Sequence, residues 1–237
     1  MRYRKILAIL IVLLLILLPS AALAKAKKAR ARVKPGPPAP ILKSAIVVNH
    51  NNGATLFAQN PDQLIPPASL TKILTLYLVF EDIEQGRARF TDLVTVSAKA
   101  NATKGTTMFL NAGEKVPLGE LVKGISVASA NDAAQAVAEH LGGSGADFVN
   151  RMNRKARELG MTRSRFLNPH GLPAKGQVTT ARDMLKLSRA YLDRFPNCLA
   201  IHSMQEYTFH DKTQHNRNRL LGHYPGADGI KTGFVRA

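Results

Sequence analysis

The stretch Pro66-Pro67-Ala68-Ser69-Leu70-Thr71-Lys72, with the apolar run Ile73–Phe80 behind it, does most to fix how this chain can fold. Adjacent prolines favour extended or turn geometry, so a helix begins after them, near Ala68 or Ser69. From Leu70 the residues are good helix formers or apolar, and the helix is predicted to end near Gly86. Ser69 and Lys72 then lie three apart on one face of its first turn. A serine nucleophile needs a nearby base, and a helix N-terminus adds favourable positive potential. Lysine serves as that base only where burial or neighbouring cations lower its pKa. The plain alternative is an N-cap serine beside a solvated lysine, and Ser-x-x-Lys alone does not separate the two.

Upstream, Met1–Ala24 reads as a secretory signal. Arg2, Arg4 and Lys5 precede thirteen apolar residues, Ile6–Leu18; Pro19 and Ser20 break the run, and Ala22-Leu23-Ala24 is a small-x-small cleavage site. The run is short for a membrane span, which needs about 20 residues. Cleavage is expected, with an uncleaved N-terminus and membrane association through it as the alternative. Either way the rest is exported to the periplasm or extracytoplasmic envelope of a bacterium. Residues 25–40 carry six Lys or Arg and four prolines, a basic Pro-rich linker that builds no core. Nine of the 33 Lys and Arg fall before Ile41, so the formal charge of +17 shrinks to +8 for the body. No nucleic-acid-binding motif accompanies that charge, and no nucleic-acid partner is expected; a basic face toward anionic envelope polymers is the simpler reading. Cys198 is the only cysteine, which excludes an internal disulfide and reads as a packed thiol.

Residues 41–237 suit one domain. Ser44–Asn49 and Thr55–Gln59 are β-rich and flank Asn51-Asn52-Gly53, a hairpin signal. Leu93–Val96 reads as a strand, Gly113–Gly119 as a turn region, and Leu118–Val127, Asn131–Leu141, Ala146–Leu159 and Thr180–Leu192 as helices. Asn168–Gln177 is a loop, and Glu206–Phe209 and Gly229–Val235 read as strands. Strands at both ends with helices between them predict an α+β fold.

Two further stretches carry chemistry. Ser129-Ala130-Asn131 lies between helical segments among small residues; the pair either faces a cleft, where a hydroxyl relays a proton and an amide binds a lysine or peptide carbonyl, or simply caps a helix. Lys231-Thr232-Gly233 suits a strand that receives an extended peptide with a free carboxylate, with Gly233 leaving room for backbone approach. The backbone N–H of Phe234 and that of Ser69 would then form an oxyanion hole.

Ser-x-x-Lys, Ser-x-Asn and Lys-Thr-Gly in this order resemble the signature of penicillin-binding proteins and class A β-lactamases. With Thr107–Leu110, Gly124–Ala134, Asn168–Leu172, Thr180–Met184, Asn216–Asn218 and Asp228–Phe234, the chain from Ile41 onward resembles the low-molecular-mass, serine-type D-alanyl-D-alanine carboxypeptidases. The resemblance implies a DD-peptidase/β-lactamase-like antiparallel sheet with a helical cluster. It makes Ser69 the acylated nucleophile and Lys72 its base, with Ser129 and Asn131 concerned with proton transfer and substrate orientation. Lys231, Thr232 and, more softly, Arg217 would receive the terminal carboxylate of a peptidoglycan stem ending in D-Ala-D-Ala, and β-lactams would acylate Ser69. His170 is read as structural. No cofactor or metal is implied, and none of the seven histidines shows His-Glu-x-x-His spacing. A class A β-lactamase should also carry Glu-x-x-Leu-Asn, which none of the seven glutamates begins; an endopeptidase of the same family stays open. The family continues past Lys-Thr-Gly with two strands and a helix, whereas this chain stops at Ala237. The expectation is therefore an incomplete catalytic domain, either a fragment or a truncated wall-peptide binder, with little activity at this length.

Overall fold

The computed structural model describes residues 42–234; the signal and linker readings, and Val235, lie outside them. The N-terminal hairpin pairs β1 (Ala45–Val48) with β2 (Thr55–Gln59), antiparallel, with Ala45 opposite Gln59 and a register irregularity after Val47. Its turn closes through Gly53, whose N–H donates to the Asn49 carbonyl at 2.8 Å and whose φ of +73° favours glycine.

The two prolines deliver a 3-10 turn, Ala68–Leu70, which runs straight into α1 (Thr71–Glu84). Every residue from Thr71 to Val79 is buried. A helix buried on all sides belongs in the middle of a core, and α1 packs against α4 (Asn131–Gly142), α5 (Gly145–Glu158) and α6 (Ala181–Arg194). Its last turn buries Glu81 and Asp82, which only pairing makes tolerable. Arg151 bonds both Asp82 oxygens at 2.7 and 2.8 Å, and Glu81 meets Arg194 at 2.6 Å and Lys155 at 3.0 Å.

Small residues let α4 sit close to its neighbours: Ala133, Ala134, Ala136 and Ala138 are fully buried. A side chain at Gly142 would meet the backbone of Phe148 at 2.8 Å, which explains the glycine where α4 turns into α5. The Ser144 hydroxyl caps α5 by accepting from Asp147 N at 3.1 Å, and Thr180 caps α6 by accepting from Asp183 N at 3.0 Å. Cys198 is buried, as the sequence suggested.

The α+β class and the antiparallel pairing hold, but among the described residues the strands form three separate two-stranded ladders rather than one sheet. Besides the hairpin, β3 (Leu93–Thr95) pairs with β4 (Lys115–Pro117), and β5 (Glu206–Phe209) with β6 (Lys212–His215). β4 lies inside the stretch read as a turn. The short helices α2 (Ala98–Asn101), α3 (Leu118–Lys123) and α7 (Leu199–His202) complete the order. The helix expected to run to Val127 leaves α-geometry at Gly124, where a π-type turn spans Gly124–Ala128. Gly229–Phe234, read as a strand, joins no ladder among the described residues. No described helix is long and apolar enough to cross a membrane.

Candidate active site

Ser69 sits in the 3-10 turn and Lys72 one turn later, and the reading of a capping serine beside a solvated lysine is excluded by burial: Lys72 has no exposed surface. Its Nζ lies 3.2 Å from Ser69 Oγ, 2.7 Å from Asn131 Oδ1 and 2.5 Å from the carbonyl of His170. Burial, and after it the charge of Lys231, push the Lys72 pKa well below the ordinary lysine value, against a smaller opposing pull from Asp132. The fold thus favours the neutral amine beside the serine.

Ser129 follows the π-type turn in a left-handed conformation, φ 62° and ψ 34°, which costs a non-glycine residue about 1–2 kcal/mol. Its backbone N–H donates to the Gly124 carbonyl, and this bend separates α3 from α4. Neither Ser129 nor Asn131 caps α4; Ala130 holds that position with no side-chain bond. The buried Asn131 amide instead faces Lys72 and the Lys104 segment. Its Nδ2 donates to the Lys104 carbonyl at 2.7 Å, which fixes Oδ1 toward Lys72, while its backbone N–H donates to the Thr106 carbonyl at 2.7 Å. A side chain at Gly105 would strike Asn131 Nδ2 at 2.7 Å, so this crossing depends on a glycine.

Ser69, Ser129, Arg217, Thr232, Gly233 and Phe234 line one cleft of about 680 Å³. Gly233 lies against the 3-10 turn: a Cβ there would be 3.3 Å from Leu70 and 3.4 Å from Ala68. Lys231 is partly buried, and its Nζ donates to the Thr232 carbonyl at 3.0 Å. Burial and then Arg217 lower its pKa to about 8. All nine residues singled out in the sequence therefore gather at or just beneath this cleft. Phe234 is 80% exposed on its rim.

Three contributors lie in stretches that carried the resemblance but were given no role in the site. The His170 carbonyl acts through its backbone, in a loop pinned by Asn168, which accepts from Gly171 N at 2.7 Å and donates to the Leu172 carbonyl at 2.9 Å. Gly171 approaches Ala68 so closely that an added Cβ would sit 1.8 Å from the Ala68 carbonyl oxygen. Asp132 is buried and accepts backbone N–H groups from Met108 and Leu110 at 3.1–3.2 Å, tying the segment before Asn111 to the start of α4. An acidic residue in the first helical turn was the only sequence signal for it.

His202 ends α7 and lies under the Lys231 segment. It is 1% exposed; Nε2 is 3.1 Å from the Tyr191 hydroxyl, Nδ1 has no partner among the described residues, and a Cβ on Gly229 would be 3.0 Å from His202 Cβ. Burial, then Lys231, push its pKa from 6.5 down to about 4. Unfolded histidine protonates near 6.5 and this ring only near 4, so native stability falls as pH drops through that window, by about 2–3 kcal/mol at its foot. His170, also lowered to about 4 by burial and then by Lys72 and Lys99, adds a second share. His202→Phe should therefore flatten, without abolishing, the loss of urea midpoint between pH 6.5 and 4; the Tyr191 hydroxyl loses its His202 partner, which lowers stability at every pH and leaves the slope unaffected. Equal slopes in parent and variant would refute the assignment.

Comparison with known proteins places this geometry. A family model described as D-alanyl-D-alanine carboxypeptidase, peptidase S11, matches residues 32–237. The D-alanyl-D-alanine carboxypeptidase DacF of Bacillus subtilis is 36% identical over 198 residues, 81% of this chain and 51% of that protein. DacC of Escherichia coli is 41% identical over 195 residues, 79% of this chain and 49% of that protein. The crystal structure of penicillin-binding protein 5 from Haemophilus influenzae superposes with a TM-score of 0.80 at 37% identity, covering 84% of this chain and 59% of that one. The chain spans about half the length of the curated relatives it matches. On the family match and the shared fold, the chain belongs to the peptidase S11 family of D-alanyl-D-alanine carboxypeptidases.

Proposed function

We propose that this domain removes the terminal D-alanine from peptidoglycan stem peptides by serine acyl transfer, in the envelope of a bacterium, and that β-lactams acylate the same serine. The observation that carries the reading is a fully buried lysine with a lowered pKa, 3.2 Å from Ser69 Oγ. Neutral Lys72 takes the Ser69 hydroxyl proton as Oγ attacks the D-Ala–D-Ala carbonyl carbon. The backbone N–H groups of Ser69 and Phe234 are the candidates to hold the resulting oxyanion. The C–N bond then breaks, D-alanine leaves with a proton returned to its nitrogen, and water hydrolyses the ester on Ser69. Ser129, on the cleft wall, relays that proton, and Asn131, bonded to Lys72 Nζ, orients the base. Lys231, Thr232 and Arg217 meet the terminal carboxylate, and Lys231 keeps its charge below about pH 8. The secretory reading of residues 1–24, with cleavage or with retention at the membrane, belongs to this proposal.

One relative, a D-alanyl-D-alanine endopeptidase of Pseudomonas aeruginosa, is 30% identical over 152 residues. Carboxypeptidase action is favoured here because Lys231 and Arg217 offer two cations to a free chain end. A fluorescent penicillin should label the purified chain covalently and leave Ser69→Ala unlabelled, and D-alanine should be released from a D-Ala-D-Ala peptide by the parent alone. Labelling that survives in Ser69→Ala would overturn the assignment of the nucleophile. Labelling without D-alanine release would restrict the chain to binding.

A further inference from the structure

We propose that Gln214 is a positioning residue for the acylation step, acting through the Lys104–Thr107 segment on Asn131; the proposal rests on the serine acyl-transfer reading above. Three bonds hold the carbonyls of that segment, and Asp132 holds the Met108 N–H of the Thr107 peptide at 3.1 Å. Two come from Asn131, whose Nδ2 donates to the Lys104 carbonyl and whose backbone N–H donates to the Thr106 carbonyl, both at 2.7 Å. The third comes from β6, where Gln214 Nε2 donates to the Thr107 carbonyl at 2.9 Å. Thr106, Ser129 and Gln214 all line the cleft, so the bond from Gln214 ties β6 to a segment that also contacts the start of α4.

The partners leave no freedom in the orientation of the Gln214 amide. Turning it over would set its oxygen against the Thr107 oxygen. As placed, Oε1 is buried with no partner among the described residues, so the side chain tolerates a costly unpaired acceptor while making one bond. What that bond secures is the carbonyl next to the one that receives Asn131 N–H. If the segment loosens, Asn131 loses the frame that aims Oδ1 at Lys72, and Lys72 loses one of its three neighbours. Gly105, at φ +89° and with no room for a side chain, already gives this segment an unusual path that has to be held from both sides.

The test uses a donor that can be switched. Gln214→Leu removes the bond, and Gln214→Glu restores a donor only when its carboxyl is protonated. The Thr107 carbonyl that would face an ionised carboxylate, partial burial, and Asp132 behind the Thr107–Leu110 segment raise the pH at which that carboxyl takes a proton into the range tested, against the opposing pull of Lys212, His215, Arg217 and Arg219 on the Gln214 side. The rate of acylation by a fluorescent penicillin is therefore compared with the parent at each pH from 4.5 to 8. Gln214→Leu should be slower at least tenfold throughout. Gln214→Glu should match it at pH 8 and recover at least fivefold relative to the parent as pH falls, a profile that a side chain needed only for packing does not produce. A flat ratio, or parental rates in Gln214→Leu, would overturn the proposal. Hydrogen exchange gives an arm independent of activity: the Asn131 amide should exchange at least tenfold faster in Gln214→Leu, and unchanged protection would also overturn it. A parent chain that is not acylated would fail the acyl-transfer reading and leave the exchange arm to decide this one.

Discussion

Replacing Lys72 with methionine is expected to slow acylation of Ser69 by about a thousandfold or more while moving the melting temperature by no more than about 5 °C. The kinetic side follows from position: Nζ is 3.2 Å from Ser69 Oγ, and methionine has nothing to accept the proton. The stability side is a contest of two terms. Lys72 is buried and its pKa is held well below 10.5, so folding at neutral pH works against its charge, and methionine removes that penalty. Against this, Asn131 Oδ1 and the His170 carbonyl lose their donor, at about 1–3 kcal/mol for each acceptor left unpaired. The two terms oppose each other, which is why the fold should survive a change that ends the chemistry. The sign can be checked separately. The unfolded chain protonates Lys72 up to about pH 10.5 and the native state does not, so the parent should gain stability on the variant as pH rises toward that value. A variant that still forms the covalent penicillin adduct at the parental rate would remove Lys72 from the reaction.

Gly171→Ala should reduce acylation about a hundredfold and destabilise the domain by about 2–4 kcal/mol. The residue has φ +86°, where alanine is strained, and its new methyl would lie 1.8 Å from the Ala68 oxygen. Backbone cannot rotate away as a flexible side chain can, so one of the two segments must shift by more than an ångström. If the Ala68 peptide moves, Ser69 moves with it, since the two are joined. If the 168–172 loop moves, the His170 carbonyl leaves Lys72 and the Thr75 hydroxyl loses the Pro169 carbonyl it now meets at 2.6 Å. Either path separates serine from base. Thermal melts together with penicillin acylation would show both effects; parental values for both would mean that the loop yields without cost.

Why some of this was legible in the sequence and some was not comes down to which atoms do the work. Ser69, Lys72, Ser129, Asn131, Lys231 and Thr232 are proposed to act through side chains in short motifs whose order resembles a known signature, so the resemblance exposed them where each motif alone did not. The helices themselves were legible from their apolar spacing, and the stretches read at Asn131–Leu141 and Thr180–Leu192 lie within a residue or two of α4 and α6. The His170 carbonyl, the Thr107 carbonyl and the close approach of Gly171 to Ala68 are backbone matters, and every residue has a carbonyl. They arise only when segments distant in the chain meet. The same limit hid β4 and β6, each a few residues whose partner, rather than composition, makes them strands. Gly229–Val235 failed in the other direction. Its residues suit a strand, but propensity supplies no partner, and residues 229–234 pair with none of the described strands.

The surroundings of Lys72 have one more consequence. A neutral amine has two hydrogens and one lone pair, which points away from both. Carbonyl oxygens only accept, and two of the three neighbours of Nζ, Asn131 Oδ1 and the His170 carbonyl, are of that kind. They claim the two hydrogens. The third neighbour, the Ser69 hydroxyl, is the one that can donate. The lone pair is thereby turned onto the serine proton before any substrate arrives, by two oxygens that take no part in bond making.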